Sequence, residues 1–280
     1  ERQFFLSDMA FEFIEMIISK TVLAPFIYIK LVFQLQPQLS LATSFSAYTD
    51  VYSLLYHTVA NTGIRGLLAG NTMMLIRFPP HYLVTRYCRK HFHLPPPQGY
   101  IARLYAAIYR GLKDSVPALL IVYPLEFLRT YYVLLNTYSA QGGQALSSKH
   151  IDLSGDWIDV AFAVIGRYGC LALYEGFLVT LLSMTLFRIF YFILYDAMIL
   201  IGRRQSSSRF PKTILISLIS GLACYPLDTL RRRQMIEVTF GEGPCKSVWC
   251  LAMIIYSEGG IFAFFHGALF NIVAAVLRSL

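Results

Sequence analysis

Charge is what this chain has least of. Lys and Arg number 24 and Asp and Glu 16 among 280 residues, so charged residues make up 14% of the sequence against 56% hydrophobic ones. With a mean hydropathy of +0.54, the apolar surface exceeds what a soluble core of this length can bury, and lipid must cover the rest. Acids are the scarcer sign, and the net charge of +8 favours anionic headgroups or anionic solutes. A basic soluble nucleic-acid binder does not have this composition, so nucleic acid is excluded as a partner. The five cysteines, Cys88, Cys170, Cys224, Cys245 and Cys250, contain no C-x-x-C pair. Most lie in apolar runs, where a small buried thiol is expected rather than a metal ligand or a disulfide. There is no G-x-x-x-x-G-K phosphate loop and no metal-spaced His/Cys set, and His91-Phe92-His93 sits in a basic turn before prolines. An enzyme, a metal and an organic cofactor are therefore all unexpected. No cleavable secretory pattern opens the chain, and a start at Glu1 reads as a processed or incompletely represented N-terminus.

What the chain does have is one phrase written three times. Ala24-Pro25-Phe26-Ile27-Tyr28-Ile29-Lys30 is followed by Tyr123-Pro124-Leu125-Glu126-Phe127-Leu128-Arg129 and by Tyr225-Pro226-Leu227-Asp228-Thr229-Leu230-Arg231. The prolines are 99 and 102 residues apart, which marks an internal triplication with a unit of one third of the chain. We read the repeats as 1–97, 98–204 and 205–280. Each reads as a long helix, a polar stretch holding a short amphipathic helix, and a second long helix. The expected segments are 11–34, 47–60 and 67–88, then 104–135, 156–165 and 171–201, then 213–238, 246–257 and a last helix from about 268. The fold class is thus an all-α membrane protein, a pseudo-threefold barrel of three tandem repeats with two spans each. A span takes about 20 residues at 1.5 Å each, so the sixth helix, ending at Leu280, is short. Either the sequence is truncated there or that span is vestigial.

Proline inside a helix removes a donor and clashes with the preceding turn, so Pro25, Pro124 and Pro226 are each expected to kink a span. Three kinked helices leaning together would close one end of a central cavity. The ionisable residues just past each kink, Lys30, Glu126, Arg129, Asp228 and Arg231, then point inward and away from lipid. The alternative for the three bases is snorkelling to the interface.

The pattern Pro-x-acid-x-x-base at this period resembles the mitochondrial carrier family, and within it the ADP/ATP-carrier branch. The similarity runs through Ser19-Lys20-Thr21, Gly70-Asn71, Ile76-Arg77-Phe78 and Leu173-Tyr174-Glu175-Gly176-Phe177. It continues through Arg188 to Tyr195-Asp196, Arg231-Arg232-Arg233 and Phe264-Phe265-His266-Gly267-Ala268. The resemblance implies exchange of ADP for ATP across the inner mitochondrial membrane by alternating access. It implies a central anion site of Lys20, Arg77, Phe187 and Arg188, and a matrix gate of Lys30, Glu126, Arg129, Asp228 and Arg231. Lys20 and Arg77 would act as a phosphate clamp, one as a point charge and one as a planar fork, and Phe187 would stack on the base. Arg188 fits either a cavity-lining role or an interhelical anchor. Gly70, Gly176 and Gly267 take the places of glycines that expose backbone N–H groups to cardiolipin phosphate.

The departures matter as much. Ile27 replaces the first gate acid, so the pair with Arg129 cannot form and Arg129 must be solvated or re-paired. At the opposite gate Lys90 falls where an acid belongs and Ile199 where a base belongs, beside a retained Asp196. In the central site Ala274 replaces a cation, Phe187 a tyrosine, and Ser183-Met184 a small contact pair. The bases beside the three glycines read Ala69, Glu175 and His266, so lipid binding should weaken. Phe11, Phe13, Ile14 and Met16 stand where close sliding contact needs small residues, which suggests fixed packing. The loop 203–209 reads as a solvated basic turn. These features favour a divergent carrier whose transport is weak or absent, retained as a structural membrane subunit of an inner-membrane assembly such as a respiratory complex. The alternative is a working adenine-nucleotide antiporter. Inner-membrane lipids are the expected partners in both.

Overall fold

The computed structural model describes residues 2–42, 46–91, 99–141, 157–202, 209–240 and 247–279. Among the described residues all regular structure is helical. Repeat one gives α1 (Arg2–Ala42), α2 (Val51–Thr62), α3 (Ile64–Leu67), α4 (Asn71–Ile76) and α5 (Phe78–His91). Repeat two gives α6 (Tyr100–Ala140), α7 (Trp157–Tyr168), a 3-10 turn (Cys170–Tyr174) and α8 (Phe177–Gly202). Repeat three gives α9 (Arg209–Ala223), α10 (Tyr225–Phe240), α11 (Val248–Ala263) and α12 (Ala268–Ser279). The basic loop 203–208 and the pair Phe92-His93 lie outside the described residues, as does most of the loop between α6 and α7.

Helices are the expected solution for so apolar a chain, because a backbone in lipid must satisfy its own hydrogen bonds. Among the described residues three helices are long and apolar enough to cross a membrane: Phe11–Ser40, Tyr100–Tyr138 and Cys170–Met198. Two bent pairs, Thr213–Ala223 with Tyr225–Glu237 and Val248–Ala263 with Ala268–Leu277, raise the number to five if each is one span. The segment formed by α4 and α5 is not among them. It breaks at Arg77 and carries Arg86, Arg89 and Lys90 in its second half.

Of the three motif prolines, Pro226 is the one at which the helix itself is interrupted. Helix α1 runs uninterrupted through Pro25 and α6 through Pro124, whereas the third span bends by 51° just before Pro226. In α6 the carbonyl released by Pro124 is that of Leu120, and it accepts a hydrogen bond from the Tyr174 hydroxyl at 3.0 Å. A substitute donor lets the helix continue.

The main core lies at the proline end, where α1, α6 and α10 touch one another. Tyr28, Leu31, Leu35, Tyr123, Phe127 and Tyr131 are buried there, with Leu54 of α2 and Val164 of α7 covering them. A smaller cluster of Val179, Leu230, Leu251 and Ile255 sits under α11. Of the bulky residues near the start of α1, Phe11 and Ile14 face outward, and Phe13 stacks on Phe78 at 5.9 Å. The cysteines also differ from a uniform set of buried thiols. Cys88 and Cys224 are buried and free, Cys170 is exposed and free, and Cys250 is disulfide-bonded.

Candidate functional site

The three proline motifs bring their ionisable residues together where α1, α6 and α10 converge, and the pairing runs in a ring. Asp228 of repeat three accepts from Lys30 of repeat one at 2.7 Å. Glu126 of repeat two accepts from Arg231 of repeat three at 3.3 Å. The next step of that rotation would join position 27 of repeat one to Arg129 of repeat two, and position 27 is isoleucine. Arg129 is left without that acid. It is buried, it makes no ion pair among the described residues, and its Nε has no hydrogen-bond partner. Its stem packs on Gly70, where a Cβ would stand 2.9 Å from Arg129 Cγ.

The network draws in residues beyond the three motifs. Arg232 contacts Asp228 Oδ2 through Nε at 3.4 Å, the i,i+4 partner on α10, and reaches Glu126 at 3.9 Å. Arg231 also contacts Asp228 at 3.3 Å. Lys30 donates to Asn271 on α12 at 2.9 Å and lies 5.0 Å from the Tyr225 ring centre. Gln34 donates to Thr229 at 3.2 Å. Arg233 turns the other way, to Glu258 at 2.6 Å. The triplet Arg231-Arg232-Arg233 could have flagged Arg232, since three and four residues past an acid are the two helical positions that reach it.

Arg77 is the main reassignment. It sits at the break between α4 and α5, and instead of lining a central site its Nη1 donates to Glu126 Oε2. Four bases, Lys30, Arg77, Arg231 and Arg232, therefore pair with two carboxylates, Glu126 and Asp228, and Arg129 lies beside them without an ion pair among the described residues. Such a network ties the three repeats together at this end.

Above it lies a cavity of about 770 Å³ between α6, α8 and α9, floored by Lys30, Tyr225, Asp228 and Asn271. Phe187 and Arg188 line it, together with Tyr191 and Ser183-Met184. The rings of Phe187, Tyr191 and Tyr195 stack turn by turn along α8, with centres 6.1 and 6.2 Å apart. Arg188 serves in both of its open roles. It lines the cavity, and its Nη2 donates to Ser115 at 2.6 Å. It lies so tightly on Gly111 that a Cβ there would stand 1.7 Å from Nη1. Lys20 is half-buried and does not line the cavity, and Ala274 is buried on α12. The expected set of Lys20, Arg77, Phe187 and Arg188 is thus split, with the aromatic and one arginine in the cavity and the other arginine in the network below.

Away from this network two further acids are paired. Asp196 lies 3.9 Å from Arg103 on α6 of its own repeat, and Asp114 lies 3.3 Å from Arg89 and 3.6 Å from Lys113. Lys90 is exposed, and the Ile199 side chain lies outside the described residues.

Gly70, Gly176 and Gly267 share one backbone conformation, with φ of 75°, 78° and 78°, which favours glycine. Each also admits the first span of the next repeat, at α6, α10 and α1 in turn. A Cβ on Gly176 would stand 3.1 Å from the Arg231 carbonyl oxygen, and one on Gly267 3.0 Å from that of Lys30. The preceding carbonyls are latched in repeats two and three, where Tyr123 donates to Glu175 O and Tyr225 to His266 O, both at 2.7 Å. The matching position in repeat one is Ala24. There Asn71 donates to Thr21 at 3.2 Å instead.

Comparison with known proteins places this arrangement among relatives. The profile of the family described as "Mitochondrial carrier protein" matches residues 1–92, 103–204 and 207–280. The chain is similar to the ADP,ATP carrier protein of Neurospora crassa, at 28% identity over 97% of this chain and 88% of the relative. It is similar to ADP/ATP translocase 4 of Bos taurus at 27% identity, over 91% of this chain and 80% of the relative. ADP,ATP carrier protein 2, mitochondrial, of Arabidopsis thaliana is 30% identical over 92% of this chain and 68% of the relative.

Proposed function

The chain belongs to the mitochondrial carrier family, and from that membership we propose that it is a divergent ADP/ATP-carrier-like protein whose transport is weak or absent and whose role is that of a structural membrane subunit. Its place is the mitochondrial inner membrane, as a multi-pass protein. The single observation that carries the reading is that both cations lining the cavity are already engaged, Lys30 by Asp228 and Asn271 and Arg188 by Ser115. A phosphate site needs donors it can recruit, at about 1.5–3 kcal/mol per charge-assisted bond. Arg77, the remaining planar fork, is spent on Glu126. Exchange further requires two closed states within a few kcal/mol of each other, and Asp196 is tied to its own repeat. The partner assembly in this reading is a larger inner-membrane complex such as a respiratory complex.

The stacked rings of Phe187 and Tyr191 above Arg188 support a second reading, in which a purine still stacks in the cavity and the protein exchanges adenine nucleotides. Reconstituted vesicles loaded with ADP separate the two. The scaffold reading expects uptake of labelled ATP near background, together with co-migration with a respiratory complex after mild detergent extraction. Uptake at the rate of an ordinary ADP/ATP carrier rejects it. Cardiolipin is the proposed bound lipid at the helix starts after Gly176 and Gly267, where the helix dipole is the attractive term. Gly70 starts only the six-residue α4, and its contribution should be smaller.

A further inference from the structure

The ring of ion pairs has a surplus on one side. Arg129 Nε, Arg231 Nε and Arg232 Nη1 are all buried without a hydrogen-bond partner. Arg129 and Arg232 are 7% and 6% exposed, so bulk water does not reach most of their surface. Five bases face two acids, and Glu126 answers to Arg77, Arg231 and Arg232 at once. Arg129 is attracted by Glu126 and repelled by Arg232, Arg77 and Arg231, and no carboxylate lies within ion-pair distance of its guanidinium among the described residues. Cations gathered in a low-dielectric interior without counter-charge are strongly unfavourable, and a buried guanidinium stripped of its acid is costly to keep.

We propose that Arg129, together with Arg231 and Arg232, forms a binding site for a phosphate-class oxyanion, which supplies the negative charge that the side chain of Ile27 does not. The cyclic order of the two observed pairs puts position 27 opposite Arg129, so the unanswered charge falls at the third station of the ring. Guanidinium groups suit this ligand because their planar forks match the spacing of phosphate oxygens. The oxyanion is either free inorganic phosphate or the terminal phosphate of a nucleotide descending from the cavity, whose floor at Lys30 and Asp228 belongs to the same network. The inference holds whether or not the protein transports, because it concerns the closed end alone.

The test uses the full chain, purified in phosphate-free detergent, with thermal unfolding followed as sodium phosphate, sodium chloride at equal ionic strength, or ADP is added. Saturating phosphate is expected to raise the Tm by about 5 °C beyond the chloride control. Ile27→Glu, which builds the counter-charge into the chain, is expected to have a raised Tm without phosphate and to lose the phosphate gain. Arg129→Gln removes the unanswered charge and is expected to lose the gain as well, which keeps the test decisive if Ile27→Glu does not fold. An ADP gain lost in these variants supports the site with a nucleotide as its source. A phosphate gain lost without any ADP gain supports it with free phosphate. No gain above chloride in the parent chain, or a gain that persists undiminished in both variants, overturns the proposal.

Discussion

Repeat one and its two sisters solve the same junction differently. Repeats two and three each supply an acid to the ring, Glu126 and Asp228, and each clamp their own second span with a tyrosine, Tyr123 on Glu175 O and Tyr225 on His266 O. Repeat one supplies neither, having Ile27 and Ala24 at those places. It holds its second span by the weaker Asn71–Thr21 amide-to-hydroxyl bond and lends Arg77 to the acid of repeat two. The threefold geometry survives this loss because the backbone devices are intact in all three repeats: the left-handed glycine and the close seating of the next repeat's first span. Symmetry of shape is carried by the glycines, and symmetry of charge is not needed to keep it.

The largest effect expected from this contrast is at Glu126. It is the carboxylate on which Arg77, Arg231 and Arg232 converge, so Glu126→Gln leaves several buried guanidinium groups unanswered and should cost about 3–5 kcal/mol. Thermal unfolding of the detergent-solubilised protein reads this directly. The conservative change Ile27→Val in repeat one should cost about 1 kcal/mol at most. A similar loss from both would erase the distinction between the repeats.

Next come the tyrosine clamps. Tyr225→Phe leaves the His266 carbonyl without its donor while keeping the ring that lies against Lys30, and should cost about 1–2 kcal/mol. Tyr123→Phe should behave alike, because its partner and distance are the same. Thr21→Val in repeat one, which removes a bond of 3.2 Å rather than 2.7 Å, should cost less, about 0.5–1 kcal/mol. If Thr21→Val proved the most damaging of the three, repeat one would be the anchor of the junction.

Much of this junction was legible beforehand, and the illegible part has a common physical cause. Proline period, glycine at the helix starts and apolar run length are local properties, so the triplication and the apolar helices could be read, whereas the span expected over 67–88 is broken at Arg77 and carries Arg86, Arg89 and Lys90 in its second half. Arg77 could not be placed, because a guanidinium on a long stem can reach Glu126 or the cavity equally well and only the packed distances choose. Arg188 was open for the same reason until Gly111 and Ser115 were brought against it. The helix stays continuous through Pro124 with help from a residue remote in sequence: the Tyr174 hydroxyl that satisfies the freed Leu120 carbonyl is 54 residues away.

The finest test of the comparison is at the glycines themselves. At Gly267 an added Cβ would meet the Lys30 carbonyl oxygen at 3.0 Å, and that atom belongs to the backbone of a helix pinned by Asp228 and Asn271. At Gly70 it would meet Arg129 Cγ at 2.9 Å, a methylene on a side chain that no ion pair holds. Both substitutions carry the same left-handed strain, about 1–2 kcal/mol for alanine, so strain cancels in the difference between them. What remains is how easily the neighbour gives way, and a side-chain stem yields where a helix backbone does not. Gly267→Ala should therefore be the more destabilising by about 1 kcal/mol, or roughly 2–4 °C in Tm for a chain of this size. The reverse order, with Gly70→Ala the worse, would mean that Arg129 is held in place by something of substance. In that case adding phosphate should widen the gap, since an oxyanion that fixes the guanidinium also fixes the stem on which Gly70 rests.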